Sequence, residues 1–447
     1  MKGKVKSIER VHIKSYGCSA NQNDGEIMAG ILERAGYIVV NDESLADAVI
    51  VNTCIVKGQT ETHMKRILKE LEDKGFGERT VVAGCMPEVE EEEIERIIPE
   101  ASVISTHHIR RIADVVRGLQ EGRKSILTGY KVPNQNDHEK AGLPVKSRSK
   151  AVGIIQINDG CTGYCTYCIV KKVKPVLRSY SMRKIVKTAE SFIKNGTREI
   201  WLTSQDTGAY GIEREGKSQL PELLKEIVKI PGRFRIRVGM MNPDNIMENL
   251  DELVEAFSHE KVFSFLHLPV QSGSNSVLKR MARRYTAEEF EQIVSRFREK
   301  IPDLTLSTDI IVGFPGETEE EFEETMKLIQ RVKPAVLNLS RFTPRPGTKA
   351  ASMKQLPGGT VKDRSRKVAK EFEEIARKES EKNIGRIQEV LLDETGKPGT
   401  IIGRNNAYKQ VVIKGENLKS SVMLGKFVKA RITKAHPHYL EGEIVEE

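Results

Sequence analysis

Six cysteines are the first chemical signal in this 447-residue chain, and they fall into two sets of three. Cys161, Cys165 and Cys168 close the run Cys-Thr-Gly-Tyr-Cys-Thr-Tyr-Cys, separated by three and then two residues. Three thiolates at that spacing can wrap a [4Fe-4S] cubane and ligate three of its four irons. The fourth iron then stays open to the amino and carboxylate groups of S-adenosylmethionine, and an electron from the cluster can break a C–S bond of the sulfonium. A structural zinc site is the alternative, but zinc wants a fourth Cys or His, and no His stands near this run. Tyr167, just before the last cysteine, either stacks beside a bound cofactor or packs into the fold.

Cys18, Cys54 and Cys85 are dispersed, yet each ends an apolar run: 11–18, 48–54 and 80–85. In a parallel sheet the strand C-termini share one edge, where ligand sites form, so the three thiols are expected to converge. A lone Cys at a strand end is more often a small buried apolar residue than a ligand. Three at equivalent places reverse that reading and point to a second cubane with one iron open. Gly17 and Gly84 precede two of them, which would let the backbone approach a bulky inorganic group. Six cysteines in so long a chain are too sparse for a disulfide framework.

The elements that must position these residues follow from periodicity. From residue 11 to about 119, short apolar runs at 11–16, 48–52 and 80–83 alternate with helical stretches, which predicts a doubly wound parallel sheet. A polar stretch around 133–150 reads as a linker. Six further strands are expected at 153–157, 199–203, 234–238, 262–268, 304–312 and 335–342, separated by helices. Gly196 is placed as a helix stop, and Thr318 to Glu321 is a capping-box signal. Six βα units suggest a partial (β/α)6 barrel with functional groups on the loops after its strands. A charged helix at about 361–383 leads to short strands at 387–392, 399–402, 410–413, 427–433 and 440–445, a small β-barrel. The expectation is an α/β multidomain chain: 1–130, a linker 131–150, the central barrel 151–382 and the C-terminal barrel 383–447. The acidic run Glu90–Glu93 reads as a solvated helix face.

Composition bounds the rest. At 38% hydrophobic and 30% charged residues the chain reads as globular, and no run of 18 apolar residues appears. The start, Met1-Lys-Gly-Lys-Val-Lys, has no apolar stretch after it, so the expectation is a cytoplasmic protein with no membrane partner. A net charge of +9 suits a polyanionic partner without proving one. From 383 to 434 ten basic residues stand against four acidic ones. A face of that charge would bind phosphates without reading sequence.

The whole pattern resembles the radical S-adenosylmethionine methylthiotransferase family along nearly the full chain. The matching words are Gly17-Cys-Ser-Ala-Asn21, Asn52-Thr-Cys54, Gly84-Cys85, Gly160-Cys161 to Cys168, His267-Leu-Pro-Val-Gln-Ser-Gly273, and Thr308-Asp-Ile-Ile-Val-Gly-Phe-Pro-Gly-Glu-Thr318. Within the family, the runs 202–211 and 165–172 look most like the archaeal and eukaryotic branch that modifies threonylcarbamoyl-adenosine beside the tRNA anticodon. The resemblance implies a 2-methylthio product at adenosine 37, two [4Fe-4S] clusters and two S-adenosylmethionine molecules per turnover. One of these would donate methyl to sulfur and the other would generate the 5′-deoxyadenosyl radical that takes hydrogen from C2 of adenine. It also implies a tRNA partner, an electron donor such as ferredoxin or flavodoxin, a sulfur source, and an RNA-binding TRAM module as the C-terminal barrel.

By the same resemblance Ser204, Gln205 and Asp206 contact the cofactor's amino group and ribose, with a helix cap as the alternative for Asp206. Gln271, Ser272 and Asp309 are further candidates, with turn or packing roles as alternatives, and His267, in an apolar strand, reads as a satisfied core residue. One departure stands out: relatives usually have Arg-Gly after the cluster loop, and this chain has Lys174-Pro175. Proline supplies neither glycine's freedom nor an N–H donor, which puts that loop's geometry in question. Other targets remain open on sequence grounds: an isopentenyl-adenosine tRNA, an aspartate of a ribosomal protein, or RNA binding by a cluster protein without catalysis.

Overall fold

The run Ala48–Thr53 is apolar on both faces of the pleat, so it has to lie inside a sheet covered on both sides. All six of its residues are buried in the computed structural model, which describes residues 7–56, 58–130, 138–415 and 420–445. Contacts divide the chain into two units. The first holds a six-stranded sheet of β1 (Arg10–Ser15), β2 (Ile38–Val40), β3 (Ala48–Thr53), β4 (Thr80–Gly84), β5 (Ser102–Ser105) and β6 (Ile126–Leu127). The spatial order is β2-β1-β3-β4-β5-β6 and every pair is parallel. Ile27, Met28 and Leu32 of helix Ser19–Arg34 pack with Val115 and Val116 on one face, over Ile13, Ile50 and Val81. Met64, Leu68 and Leu71 cover Val49, Val51 and Val82 on the other, which makes the sheet doubly wound as expected.

The segment read as a linker is not loose where it is described. Residues 131–137 lie outside the described residues, but 138–148 pack onto helix Ser19–Arg34. The Lys140 ammonium, 3% exposed, stands 2.6 and 2.8 Å from the two Asp24 oxygens and 2.9 Å from Thr106 Oγ1. Arg148 N–H donates to Glu26 Oε1 at 3.0 Å. Composition reads a lysine here as solvated, and only the fold brings it to its carboxylate. The first unit also takes residues 154–161 and 169–185. β7 (Val152–Gln156) leads into β8 (Asn158–Asp159), which pairs antiparallel with β9 (Arg178–Ser179).

The second unit carries β10 (Glu199–Thr203), β11 (Arg235–Val238), β12 (Phe265–His267), β13 (Thr305–Val312) and β14 (Val336–Arg341). They form two three-stranded sheets, β11-β10-β7 and β12-β13-β14, joined by a bridge between Ile236 and Val262. Six strands in chain order match the expected partial barrel. Its helices start where the sequence signals them: Thr318 and Glu321 form a reciprocal capping box, as do Thr286 and Glu289. Helix Gly358–Glu381 then leads to β15 (Ile387–Thr395), β16 (Thr400–Asn405), β17 (Gln410–Lys414), β18 (Phe427–Ala435) and β19 (Leu440–Ile444), a closed barrel around Val390, Ile401, Val411 and Ile432. Among the described residues no helix is long and apolar enough to cross a membrane.

A pair of carboxyl groups is buried between β10 and the C-terminal barrel, Glu199 at 0% and Asp393 at 6% exposure. Trp201 Nε1 donates to Glu199 Oε1, and Arg404 stands 3.5 Å from Asp393 Oδ2. Glu199 Oε2 and Asp393 Oδ1 are buried with no hydrogen-bond partner among the described residues. Burial pushes both carboxyls up, and each acts on the other, which favours a protonated carboxyl in this pair. Burial, offset in part by Arg404 and reinforced by Glu199, pushes the Asp393 carboxyl from 3.8 up to about 8. A carboxyl raised on folding stabilises fully below its unfolded value and loses that contribution as pH rises through the folded one. The thermal midpoint is therefore expected to fall between about pH 4 and about pH 8, and Asp393→Asn to flatten the fall. Parallel melting curves across that range check it, and an unchanged slope in the variant rules out a protonated Asp393.

Candidate active site

The N-terminal cysteines follow β1, β3 and β4, which are neighbours in the sheet. Two asparagines tie the first two strand ends together. Asn21 Nδ2 donates to the carbonyls of Tyr16, Asn52 and Thr53 at 2.6–3.2 Å, and Asn52 Nδ2 returns a bond to the Asn21 carbonyl at 2.6 Å. Cys85 N–H donates to the Thr53 carbonyl at 3.1 Å, which brings in the third. The sequence words around Cys18 and Cys54 are thus the two halves of one latch.

Gly17 and Gly84 have φ of +93° and +98°, where a side chain is strained. A Cβ at Gly17 would lie 2.5 Å from Cys54 Sγ, and one at Gly84 would lie 2.7 Å from Asn52 Oδ1. Glycine is needed here for the close approach of protein to protein beside the cysteines.

Cys18 is exposed at the N-cap of helix Ser19–Arg34, Cys54 is buried and Cys85 half-buried. Burial pushes the thiols of Cys54 and Cys85 up, and for Cys85 the charge of Lys174 opposes it. Among the described residues no three His, Cys, Asp or Glu side chains are gathered to hold a single metal ion, so neither triplet is a preformed single-ion site. Soft thiols in threes are the donor set of an iron–sulfur cluster.

Lys174, at the position that departs from relatives, is buried in the same unit. Its ammonium lies 2.5 Å from Asp159 Oδ1, both side chains being 3% exposed. Burial disfavours both charges, but Lys174 and Lys140 hold the Asp159 carboxyl well below its ordinary range, and Asp159 holds Lys174 above its own. Nearby, burial pushes His107 down to about 4, and its Nε2 bonds the Val173 carbonyl at 2.7 Å. The backbone of Lys174, φ −128° and ψ 73°, avoids the helical region that the following Pro175 disfavours. The loop therefore accommodates the departure. Lys174→Met takes the nearest cation from a buried carboxylate and is expected to cost about 3–5 kcal/mol, read by denaturant unfolding, with Lys174→Arg, which keeps the charge, costing less. A loss below about 1 kcal/mol in the Met variant would show that the pair is dispensable.

Cys161 belongs to the first unit, where Lys171 Nζ donates to its carbonyl at 2.9 Å. Residues 162–168 belong to the second. There Thr166 N–H donates to the Met281 carbonyl at 3.0 Å, Ala350 N–H to the Thr166 carbonyl at 2.8 Å, and Cys168 N–H to the Cys165 carbonyl at 3.1 Å. Tyr167 meets Phe314 edge-on at 6.4 Å, against a cluster of Val277 and Met281, so packing is the role its contacts support.

Ser204 and Gln205 are half-buried after β10. Asp206 is 0% exposed, with its oxygens taken by Asn242 N–H at 3.0 Å, Asn242 Nδ2 at 2.7 Å and Asn245 Nδ2 at 2.6 Å. Burial pushes its carboxyl up to about 6. These partners occupy the carboxylate, which does not cap its own short helix. Asn245 in turn accepts through Oδ1 from Thr162 Oγ1 at 3.0 Å in the cysteine loop. Nothing in the local sequence signals that relay.

Gln271 is buried with φ +72°, a strained conformation for a residue with a side chain, held by Gln271 N–H to Asp309 O at 2.8 Å and Ile311 N–H to Gln271 O at 2.9 Å. Ser272 is fully buried against Thr325 Oγ1, a packing role. Asp309 Oδ1 lies 3.1 Å from His267 Nε2 and accepts from Asn338 Nδ2 at 2.7 Å. His267 is half-buried with its ring satisfied by Asp309, and it also lines a cavity.

Residues 155–329 match the Radical SAM superfamily, residues 381–445 the TRAM domain, and residues 10–105 the Uncharacterized protein family UPF0004. The fold is similar to that of the radical S-adenosylmethionine methyltransferase TsrM from Kitasatospora setae, with a TM-score of 0.56 at 15% identity over 77% of this chain and 75% of that one. Fold and cysteine loop together define a radical S-adenosylmethionine enzyme, a class that works with S-adenosylmethionine and a [4Fe-4S] cluster.

Over 438 residues the chain is 43% identical to the "Probable threonylcarbamoyladenosine tRNA methylthiotransferase" of Pyrococcus abyssi, covering 98% of this chain and 99% of the relative. It is 36% identical to the "Threonylcarbamoyladenosine tRNA methylthiotransferase" of Homo sapiens over 99% of this chain and 75% of that one. The chain belongs to the threonylcarbamoyladenosine tRNA methylthiotransferase family.

Proposed function

We propose that this enzyme attaches a methylthio group to C2 of N6-threonylcarbamoyladenosine at position 37 of the tRNA anticodon loop. The observation that carries the reading is near-full-length identity to relatives bearing that name, from archaea to animals. In this reading residues 1–130, 151–382 and 383–447 are the sulfur-delivering, radical and RNA-binding domains, with 131–150 between the first two. Cys161, Cys165 and Cys168 hold one [4Fe-4S] cluster, and Ser204, Gln205, Gln271 and Asp309 serve S-adenosylmethionine. Asp206 positions the cysteine loop. Cys18, Cys54 and Cys85 hold a second cluster; their convergence at three adjacent strand ends supports this.

When bound, the clusters and S-adenosylmethionine supply the radical, the sulfur and the methyl group. The chain's own part is to place and charge them. Lys174 sets a buried positive charge beside Cys85 that opposes the burial pushing its thiol up. Lys171 fixes the start of the central loop through the Cys161 carbonyl. The basic C-terminal barrel holds RNA phosphates. An electron donor such as ferredoxin or flavodoxin and a sulfur source complete the reaction, and the protein works in the cytoplasm. Nucleoside mass spectrometry of tRNA from a strain lacking the gene tests the reading: the 2-methylthio nucleoside should vanish and its unthiolated precursor accumulate. Unchanged 2-methylthio nucleosides would remove the assignment.

A further inference from the structure

A cavity of about 300 Å³ opens in the second unit, between the strands β11 to β14 and the C-terminal barrel. Arg237, Phe265, His267, Asn338, Arg404 and Tyr408 are among its lining residues. Arg237 is the unusual member. Its guanidinium lies 5.1 Å from the Trp201 ring and 5.4 Å from those of Phe265 and Tyr408. Among the described residues it has no hydrogen-bond or ion-pair partner, and its Nε is buried without an acceptor. The neighbouring arginines are spoken for: Arg235 pairs with Glu389 at 2.6 Å, and Arg404 lies 3.5 Å from Asp393 and from Glu394. A half-buried cation that sees only ring faces keeps its in-plane N–H fork for an anion.

The surroundings are built rather than loose. Tyr408 has φ +60°, a strained conformation for a residue with a side chain, and its ring packs 4.8 Å from Phe263 and 4.9 Å from Phe265. The His267–Asp309–Asn338 network makes a polar wall on the same face. Lys409 lines the cavity as a second cation with no salt bridge among the described residues.

We infer that this cavity receives the anionic substituent of the substrate base, and that Arg237 takes its carboxylate. The inference rests on the substrate proposed above. A threonylcarbamoyl group is joined to adenine through the amino acid's nitrogen, which leaves the threonine carboxylate free and negative. A guanidinium fork meets a carboxylate with two parallel hydrogen bonds. An isopentenyl group or a bare amine offers it nothing, so this one contact would separate the family's tRNA substrates by charge.

The test is anaerobic binding of the full-length, cluster-reconstituted protein to two anticodon stem-loop RNAs, one carrying N6-threonylcarbamoyladenosine at position 37 and one carrying adenosine. Wild type should prefer the modified RNA by roughly ten- to a hundredfold, and Arg237→Gln should lose that preference while binding the plain RNA as before. Arg237→Lys, which keeps the charge and loses the fork, should keep part of it, and it serves if the Gln variant melts early. A preference retained in both variants overturns the pocket while leaving the substrate intact. Equal loss on both RNAs also overturns it, because Arg237 would then be a phosphate contact. No preference in wild type overturns the pocket too, and product formation on the modified RNA then tells whether the proposed substrate falls with it.

Discussion

Alanine at Cys161, Cys165 or Cys168 is expected to reduce release of 5′-deoxyadenosine from S-adenosylmethionine by more than about three orders of magnitude. The reason lies in ligand number. Three thiolates hold a cubane and leave one iron open, whereas two hold it poorly and leave no defined vacancy. The variants should fold, since residues 162–168 are anchored by backbone bonds to Met281 and Ala350 that no cysteine side chain makes. Quantifying 5′-deoxyadenosine after anaerobic reconstitution and reduction reads the effect. Near-wild-type cleavage by any one variant would mean that its thiol is not a ligand.

The second large effect separates the two triplets. Cys18→Ala, Cys54→Ala or Cys85→Ala should leave 5′-deoxyadenosine release within a few-fold of wild type and drop methylthio product to background. Iron content should fall by about four per chain as one cubane is lost. The three residues follow adjacent strands of the first unit's sheet and share the Asn21–Asn52 latch, so losing one thiol leaves that latch in place. Methylthio product retained by these variants, measured in the same reactions, would end the division of labour between the triplets.

Much of this was legible before any coordinates. The barrel strands were readable because apolar, β-branched runs of that length recur between helical periods, and the capping box at Thr318 and Glu321 marks its helix by chemistry alone. Cysteines at strand ends were readable for the same reason: parallel strands share an edge whatever their order. The burial of Asp206 was not legible, because its motif position is visible in sequence and its partners Asn242 and Asn245 are not. The partner that satisfies His267 was not legible either, because an apolar run says nothing of Asp309 and Asn338 on the neighbouring strands.

The sequence by itself determined the two cysteine triplets, the three-part α/β organisation and the family, since each rests on local spacing or periodicity. Tertiary structure alone decided which strands are adjacent, that Lys140 pairs with Asp24 and Lys174 with Asp159, that the carboxyls of Glu199 and Asp393 are buried, and that Arg237 has no acidic partner among the described residues. A charge's partner, or its lack of one, is set by which distant segments the chain folds together, and no local pattern of residues encodes that.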